Sequence, residues 1–236
     1  MRQEGVALRA LKREQEVLRL VVADSVPTLL AAGEDEHGPF LVESAHEGLP
    51  LRALVEALVA RRGRVPPAML LSLARAAFDA LAELHEAEDA QGPLEVTHGD
   101  LGPDHVIVGP ARPGERGRLG FVDFGQARAR GLPGEAGERG TLPFVSPEVA
   151  RAERDVDQEA DVFALAATIA FAALGRDPCR SETASARLVE IAERGLDLDA
   201  LPELGAPLDA VLREALAFDR DERLVGARAL LARLER

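Results

Sequence analysis

Three short segments hold the residue types best suited to chemistry. Thr97-His98-Gly99-Asp100-Leu101-Gly102-Pro103-Asp104-His105 runs straight into the apolar stretch Val106-Ile107-Val108. Phe121-Val122-Asp123-Phe124-Gly125 closes a second apolar stretch. Gly140-Thr141-Leu142-Pro143-Phe144-Val145-Ser146-Pro147-Glu148 follows a loop rich in glycine. The first two each set a carboxylate, Asp100 or Asp123, beside a short strand. Carboxylates so placed move protons to or from hydroxyls, or hold hard cations. An Asp-Phe-Gly alone arises often by chance; three such segments in this order are specific.

The elements that must position them can be read from pattern. Val106–Val108 and residues 119–124, with a Gly/Pro/Arg turn over 110–117, predict a β-hairpin between the two carboxylates. Residues 125–147 show no period and predict a long loop, the kind of segment that is often functional. Upstream, residues 7–22 predict an amphipathic helix with Ala7, Leu8, Leu11, Val17, Leu18 and Val21 as its apolar positions. Residues 28–32 and 40–43 predict short strands joined by a turn over 33–38. Leu51–Arg62 predicts a second helix. Pro66 and Pro67 open a third, reaching about residue 87, with Leu70, Leu73, Ala74, Ala77, Leu81 and Leu84 on one face. Beyond Glu148 the pattern predicts helices over 156–174, 185–194, 207–218 and 225–235. The apolar run 162–175 is shorter than the ~20 residues a bilayer requires and predicts a helix buried on all sides.

Composition narrows the function. The 236 residues suit one large domain or two small ones, and 47% hydrophobic with 29% charged residues is a globular rather than a disordered balance. Acidic residues outnumber basic ones, 41 to 28, for a net charge of -13. Such a chain is repelled by phosphate backbones and anionic bilayers, so neither nucleic acid nor membrane is expected as a partner. The single cysteine, Cys179, allows no internal disulfide and no cysteine-built zinc site, and is expected to be a plain thiol. The opening MRQEGVALRALKREQEVL is charged and carries no secretory h-region, so a cytoplasmic location is expected. There is no Trp and no Tyr, and Lys12 is the only lysine.

In order, the three segments resemble the protein-kinase signatures H-R-D-L-x-x-x-N, D-F-G and A-P-E. The chain resembles the bacterial Ser/Thr protein kinases over about residues 6–236. Arg13-Glu14-Gln15-Glu16-Val17-Leu18 resembles that family's helix αC. Phe40-Leu41-Val42-Glu43 through Glu47-Gly48 resembles its fifth strand and hinge. Asp161-Val162-Phe163-Ala164-Leu165 resembles the start of its buried helix αF. Asp219-Arg220-Asp221-Glu222-Arg223-Leu224 resembles the late segment whose arginine pairs with the glutamate of A-P-E. The resemblance implies that Asp100 accepts or orients a substrate hydroxyl and that Asp123 holds Mg²⁺. It implies that His105 stands where a second metal ligand is expected, that Glu14 is the αC carboxylate, and that Glu43 and Ala45 border the nucleotide. It further implies a buried Glu148–Arg223 ion pair, a stack of Leu18, Phe124 and His98, and ATP with Mg²⁺ as cofactors.

The departures are concentrated where ATP would be held. The family's third-strand lysine has no counterpart. Arg9 precedes Glu14 by five residues, and five helical residues turn through about 500°, so the two side chains point apart. Lys12 is expected to pair with Glu16 on the helix surface. With αC beginning near Ala7, the first three strands of the family's sheet and its Gly-rich loop are expected to be missing, and no G-x-G-x-x-G precedes His98. Gly102 replaces the lysine expected two residues after Asp100, and Gly99 replaces the arginine before it. His105 is a poor magnesium ligand, because Mg²⁺ prefers oxygen, and Asp104 substitutes only if the loop twists. Residues 126–139 contain no Ser, Thr or Tyr, which excludes activation by phosphorylation there.

The expected architecture is therefore α+β: a kinase-like fold with a reduced N-lobe (αC and the family's fourth and fifth strands) over 1–47 and a mainly helical C-lobe over 48–236. The expected role is a catalytically impaired kinase-like module that acts through a protein partner. Two alternatives stay open. One is an active ATP-dependent Ser/Thr kinase with an atypical nucleotide site or an incomplete N-terminus. The other is a small-molecule phosphotransferase of the aminoglycoside type, which also uses His-Gly-Asp. The Gly140 to Glu148 segment, similar to a peptide-substrate platform, argues against the latter.

Overall fold

A computed structural model describes residues 2–110, 117–132, 140–153, 157–223 and 226–236, with side chains from residue 6 onward. The first helix, α1, spans Arg2–Leu20 and begins before the apolar periodicity does. Only its C-terminal half meets the core, where Val17 and Leu18 are buried. Residues 6–9 are exposed, including Ala7 and Leu8, which the apolar pattern places on its face.

Strands β1 (Leu29–Asp35) and β2 (Gly38–Glu43) form an antiparallel hairpin. Both strands run into the stretch expected to be a turn, leaving only Glu36 and His37 between them. Gly33 is a strand residue: it pairs with Phe40, whose ring lies 3.1 Å from where a Cβ would stand. No residue of either strand is fully buried. Leu29 and Leu41 pack against the core, while Leu30, Phe40 and Val42 remain exposed.

The short strand β3 (Leu49–Pro50) leads into α2 (Leu51–Arg62), and α3 (Pro67–His85) follows, with Pro67 opening its first turn. All six residues expected on the apolar face of α3 are buried. Two-residue strands β4 (Glu88–Asp89) and β5 (Gly92–Pro93) form a small ladder that the sequence pattern does not announce. Strands β6 (Val106–Val108) and β7 (Leu119–Phe121) pair antiparallel, giving the sheet order β3-β6-β7 and the hairpin expected between the two carboxylates. The expected turn over 110–117, the middle of the 125–147 loop and residue 224 lie largely outside the described residues.

The remainder is helical: α4 (Pro147–Ala150), α5 (Gln158–Leu174), α6 (Ala184–Arg194), α7 (Leu208–Ala215) and α8 (Ala227–Leu234). Helix α7 ends sooner than expected, and Asp219 caps a 3-10 turn over Arg220–Glu222 instead. Helix α5 is the axis of the fold. Asp157 caps it by accepting the Ala160 N–H at 3.0 Å, and Gly175 ends it in the left-handed region. From Ala160 to Ala173 only Ala164 escapes full burial. Each large apolar side chain buried there contributes about 1.5–3 kcal/mol. Among the described residues no helix is long and apolar enough to cross a membrane. The result is a mixed α+β kinase-like architecture in which α1 and one hairpin make up a small lobe.

Candidate active site

The loop that carries Asp100 hangs from α5. The Asp161 carboxylate, 1% exposed, accepts the backbone N–H groups of His98 (2.7 Å) and Gly99 (2.9 Å), and His85 Nε2 lies 3.2 Å away. Gly99 sits at φ +83°, and a Cβ there would come within 2.7 Å of the Gln126 carbonyl oxygen, so a side chain is excluded. His98 is fully buried, and burial pushes its pKa down. In the neutral ring Nε2–H donates to the Val122 carbonyl at 3.1 Å, and Nδ1 accepts the Asp100 N–H at 3.3 Å. The imidazole lies 4.7 Å, centroid to centroid, from Phe124. Leu18, also buried, is carried by α1, which packs over the Phe124–Gln126 turn. Of the expected stack, the His98–Phe124 contact is present, and Leu18 is buried on the helix that covers that turn.

Asp100 and Asp123 lie on either side of His105. The ring's Nδ1 donates to the Asp100 carbonyl oxygen at 2.7 Å, so in the neutral form Nε2 carries the free lone pair. Nε2 is 3.6 Å from Asp123 Oδ2, and Nδ1 is 3.7 Å from Asp100 Oδ2. Asp100 is 6% exposed; its Oδ2 accepts Gln126 Nε2–H at 2.7 Å, and its Oδ1 meets no hydrogen-bond partner among the described residues. Asp123 is half exposed and holds φ +66°, a left-handed conformation that costs a non-glycine residue about 1 kcal/mol or more. Its Oδ1 accepts the Gly125 N–H at 3.3 Å. Among the described residues no three His, Cys, Asp or Glu side chains converge as a metal site.

Two further carboxylates complete the cleft. Glu14 Oε1 accepts the Phe124 N–H at 2.9 Å. Burial raises the Glu14 pKa against that bond, and the charge of Asp123 raises it further. Burial likewise raises Glu43, with Glu14 and Asp123 adding to the effect, and Glu43 Oε2 is buried without a hydrogen-bond partner among the described residues. The charges that shift these two glutamates are those of other carboxylates and, for Glu14, of His105. Arg9 and Lys12 both lie exposed on α1, the helix that carries Glu14. Glu16 pairs with Arg13 at three-residue spacing (3.3 Å) rather than with Lys12 at four as expected. Ala45 borders a separate hollow of about 350 Å³ with Asp24, His46 and Gly120, none of them a cleft carboxylate. Asp104 turns away to Arg52, whose Nε donates to both of its oxygens at 2.9 Å.

The platform after the loop is tied down by the expected ion pair. Arg223 Nη1 and Nη2 donate to Glu148 at 2.7 and 2.9 Å, with both side chains nearly fully buried. Burial opposes ionisation of Glu148, but the Arg223 hydrogen bonds hold its pKa below the usual range. Gln126 is the site residue that the sequence motifs do not pick out. Its amide joins Asp100 to Gly140, whose N–H it accepts at 3.0 Å. A wide apolar groove of about 990 Å³ lies elsewhere, between α2, α3 and β6, and touches none of the carboxylates of the cleft.

Comparison with known proteins agrees with this geometry. The protein kinase domain family matches residues 2–233, and the chain belongs to that family. It is 28% identical over 182 residues to the serine/threonine-protein kinase PknL of Mycobacterium tuberculosis, covering 76% of this chain and 40% of that protein. It is 30% identical over 184 residues to the tyrosine-protein kinase MasK of Myxococcus xanthus, covering 74% of this chain and 27% of MasK. It is 29% identical over 157 residues to the serine/threonine-protein kinase AfsK of Streptomyces griseus, covering 65% of this chain and 18% of AfsK. The chain therefore spans two fifths or less of the length of these relatives. Their names include both serine/threonine and tyrosine kinases.

Proposed function

We propose that this kinase domain is catalytically impaired and acts by binding another protein. The observation that carries the reading is the chemistry of the cleft. Kinases as a family use ATP and Mg²⁺, and phosphoryl transfer depends on cations that neutralise the phosphates. Here the groups gathered at that place are Glu14, Glu43 and Asp123, and Glu14 is committed to the Phe124 N–H. A triphosphate set among them meets charges of its own sign. Removing even one neutral hydrogen-bond donor to the transition state typically costs about 2.7–4 kcal/mol, and this site departs from the family at several stabilising groups. Imidazole at His105 does not repair the deficit, since magnesium prefers oxygen.

The small lobe supports the binding role. Leu30 (62%), Phe40 (39%) and Val42 (44%) are exposed on the hairpin. The surrounding segment, residues 20–51, carries Asp24, Glu34, Asp35, Glu36, Glu43 and Glu47 with no Lys or Arg. An apolar face with an acidic border suits a partner segment that is apolar and basic.

A second reading, an active kinase with an atypical nucleotide site, draws on the intact seating of Asp100 by Asp161 and on the surviving Asp123. Nucleotide binding with and without Mg²⁺, compared with Asp123→Ala, and transfer of radiolabelled γ-phosphate to a generic protein substrate separate the two. The impaired reading expects no Mg²⁺-dependent binding at micromolar ATP and no transfer. Transfer that Asp100→Asn abolishes would establish the second reading instead.

A further inference from the structure

We propose that Gln126 is a positioning residue, a neutral latch that fixes the Asp100 carboxylate and at the same time pins Gly140, the residue from which the chain enters the Thr141 to Glu148 platform. The geometry is specific. Nε2 donates to Asp100 Oδ2 at 2.7 Å, and Oε1 accepts the Gly140 N–H at 3.0 Å. Exchanging the amide's nitrogen and oxygen would set an acceptor against a carboxylate and a donor against an N–H, so the orientation is forced. An amide is the side chain that donates and accepts along two directions at once; Glu lacks the donor, and Lys the acceptor. The bond to Asp100 is charge-assisted on the acceptor side, which makes it the stronger of the two.

The surroundings leave this task to Gln126. Position 102 is glycine and offers Asp100 no side chain. His105 Nδ1 gives its proton to the Asp100 carbonyl at 2.7 Å and stays 3.7 Å from the carboxylate. Among the described residues, Gln126 supplies the one side-chain hydrogen bond that the Asp100 carboxylate receives, while Oδ1 has none. The backbone of Gln126 is itself wedged against Gly99, whose missing side chain gives the carbonyl its room. One neutral residue thereby couples the loop before β6, the turn after β7 and the platform, in a chain whose residues 126–139 include no hydroxyl to phosphorylate.

The test is amide hydrogen exchange at Gly140 in the full chain. Gln126→Leu should speed it by about fivefold to tenfold, the loss of one hydrogen bond, with exchange in α5 unchanged. Asp100→Ala should speed Gly140 as well, although no hydrogen bond joins Asp100 to Gly140, because an untethered amide no longer holds its other end. Gln126→Glu keeps an acceptor for Gly140 but turns like charge on Asp100, and should behave as the leucine variant does. If a variant disturbs α5, Gln126→Asn replaces it: its amide is one methylene too short to span both partners, and the same acceleration is expected. Wild-type exchange at Gly140 in the leucine or asparagine variant would overturn the latch. Wild-type exchange in Asp100→Ala or Gln126→Glu would overturn the coupling to Asp100.

Discussion

Replacing Asp161 by alanine withdraws the acceptor from two buried backbone N–H groups at once. The carboxylate receives His98 N–H at 2.7 Å and Gly99 N–H at 2.9 Å, with His85 Nε2 at 3.2 Å, and is 1% exposed. Water has no easy access to take its place. Each stranded donor costs about 1–3 kcal/mol, so the two together cost about 2–6 kcal/mol. In a chain of this size 1 kcal/mol moves the melting temperature by about 2–4 °C, so a fall of roughly 5–20 °C is expected. Asp161→Asn keeps one acceptor oxygen but turns an NH2 toward a donor, and should fall between alanine and wild type. Urea denaturation gives the energy, and amide exchange at His98 and Gly99 shows where it is lost. If Asp161→Ala unfolds within about 1 kcal/mol of wild type, with both amides still protected, the account of how α5 seats Asp100 is wrong.

Three further outcomes are expected. Arg223→Met strands a buried Glu148 and should cost about 3–5 kcal/mol in urea, whereas Glu148→Leu combined with Arg223→Met should cost less than the single change. Burial raises the Glu43 pKa, so its carboxyl stabilises the fold below its unfolded value near 4.5 and that contribution is lost as pH rises through the folded pKa. Glu43→Gln should therefore melt higher than wild type at neutral pH, the gap closing toward about pH 4; equal melting curves across that range would refute it. Burial pushes the Cys179 thiol up to about 12, so iodoacetamide at mildly alkaline pH should leave the folded protein unmodified and label it in urea.

Much of the frame can be read from the chain because burial writes periodicity into it. The span of α2 and the six apolar positions of α3 are recoverable for that reason, as is α5, whose unbroken apolar run has no wet face. The Glu148–Arg223 pair is foreseeable only through family resemblance, since 75 residues separate its members. Elements that bury little are harder to see. Residues 6–9 of α1 and the hairpin tip at Glu34 and Asp35 are exposed, so nothing in their pattern marks where these elements start or stop. Strands β3, β4 and β5 are two residues long, too short to alternate. The Arg13–Glu16 pair rather than Lys12–Glu16 turns on a choice between three- and four-residue spacing that sequence leaves open. The Gln126 bridge joins residues 26 and 14 positions away; the signal present was an amide directly after Asp-Phe-Gly in a chain with glycine at 102.

Lys12, exposed on α1, carries the sole ε-amine in the sequence. Succinimidyl reagents therefore have one side chain to modify, and it stands on the small lobe with the exposed hairpin. A dye or short crosslinker attached there labels that lobe without engineering, and its emission or its adducts would report whatever comes to rest beside it.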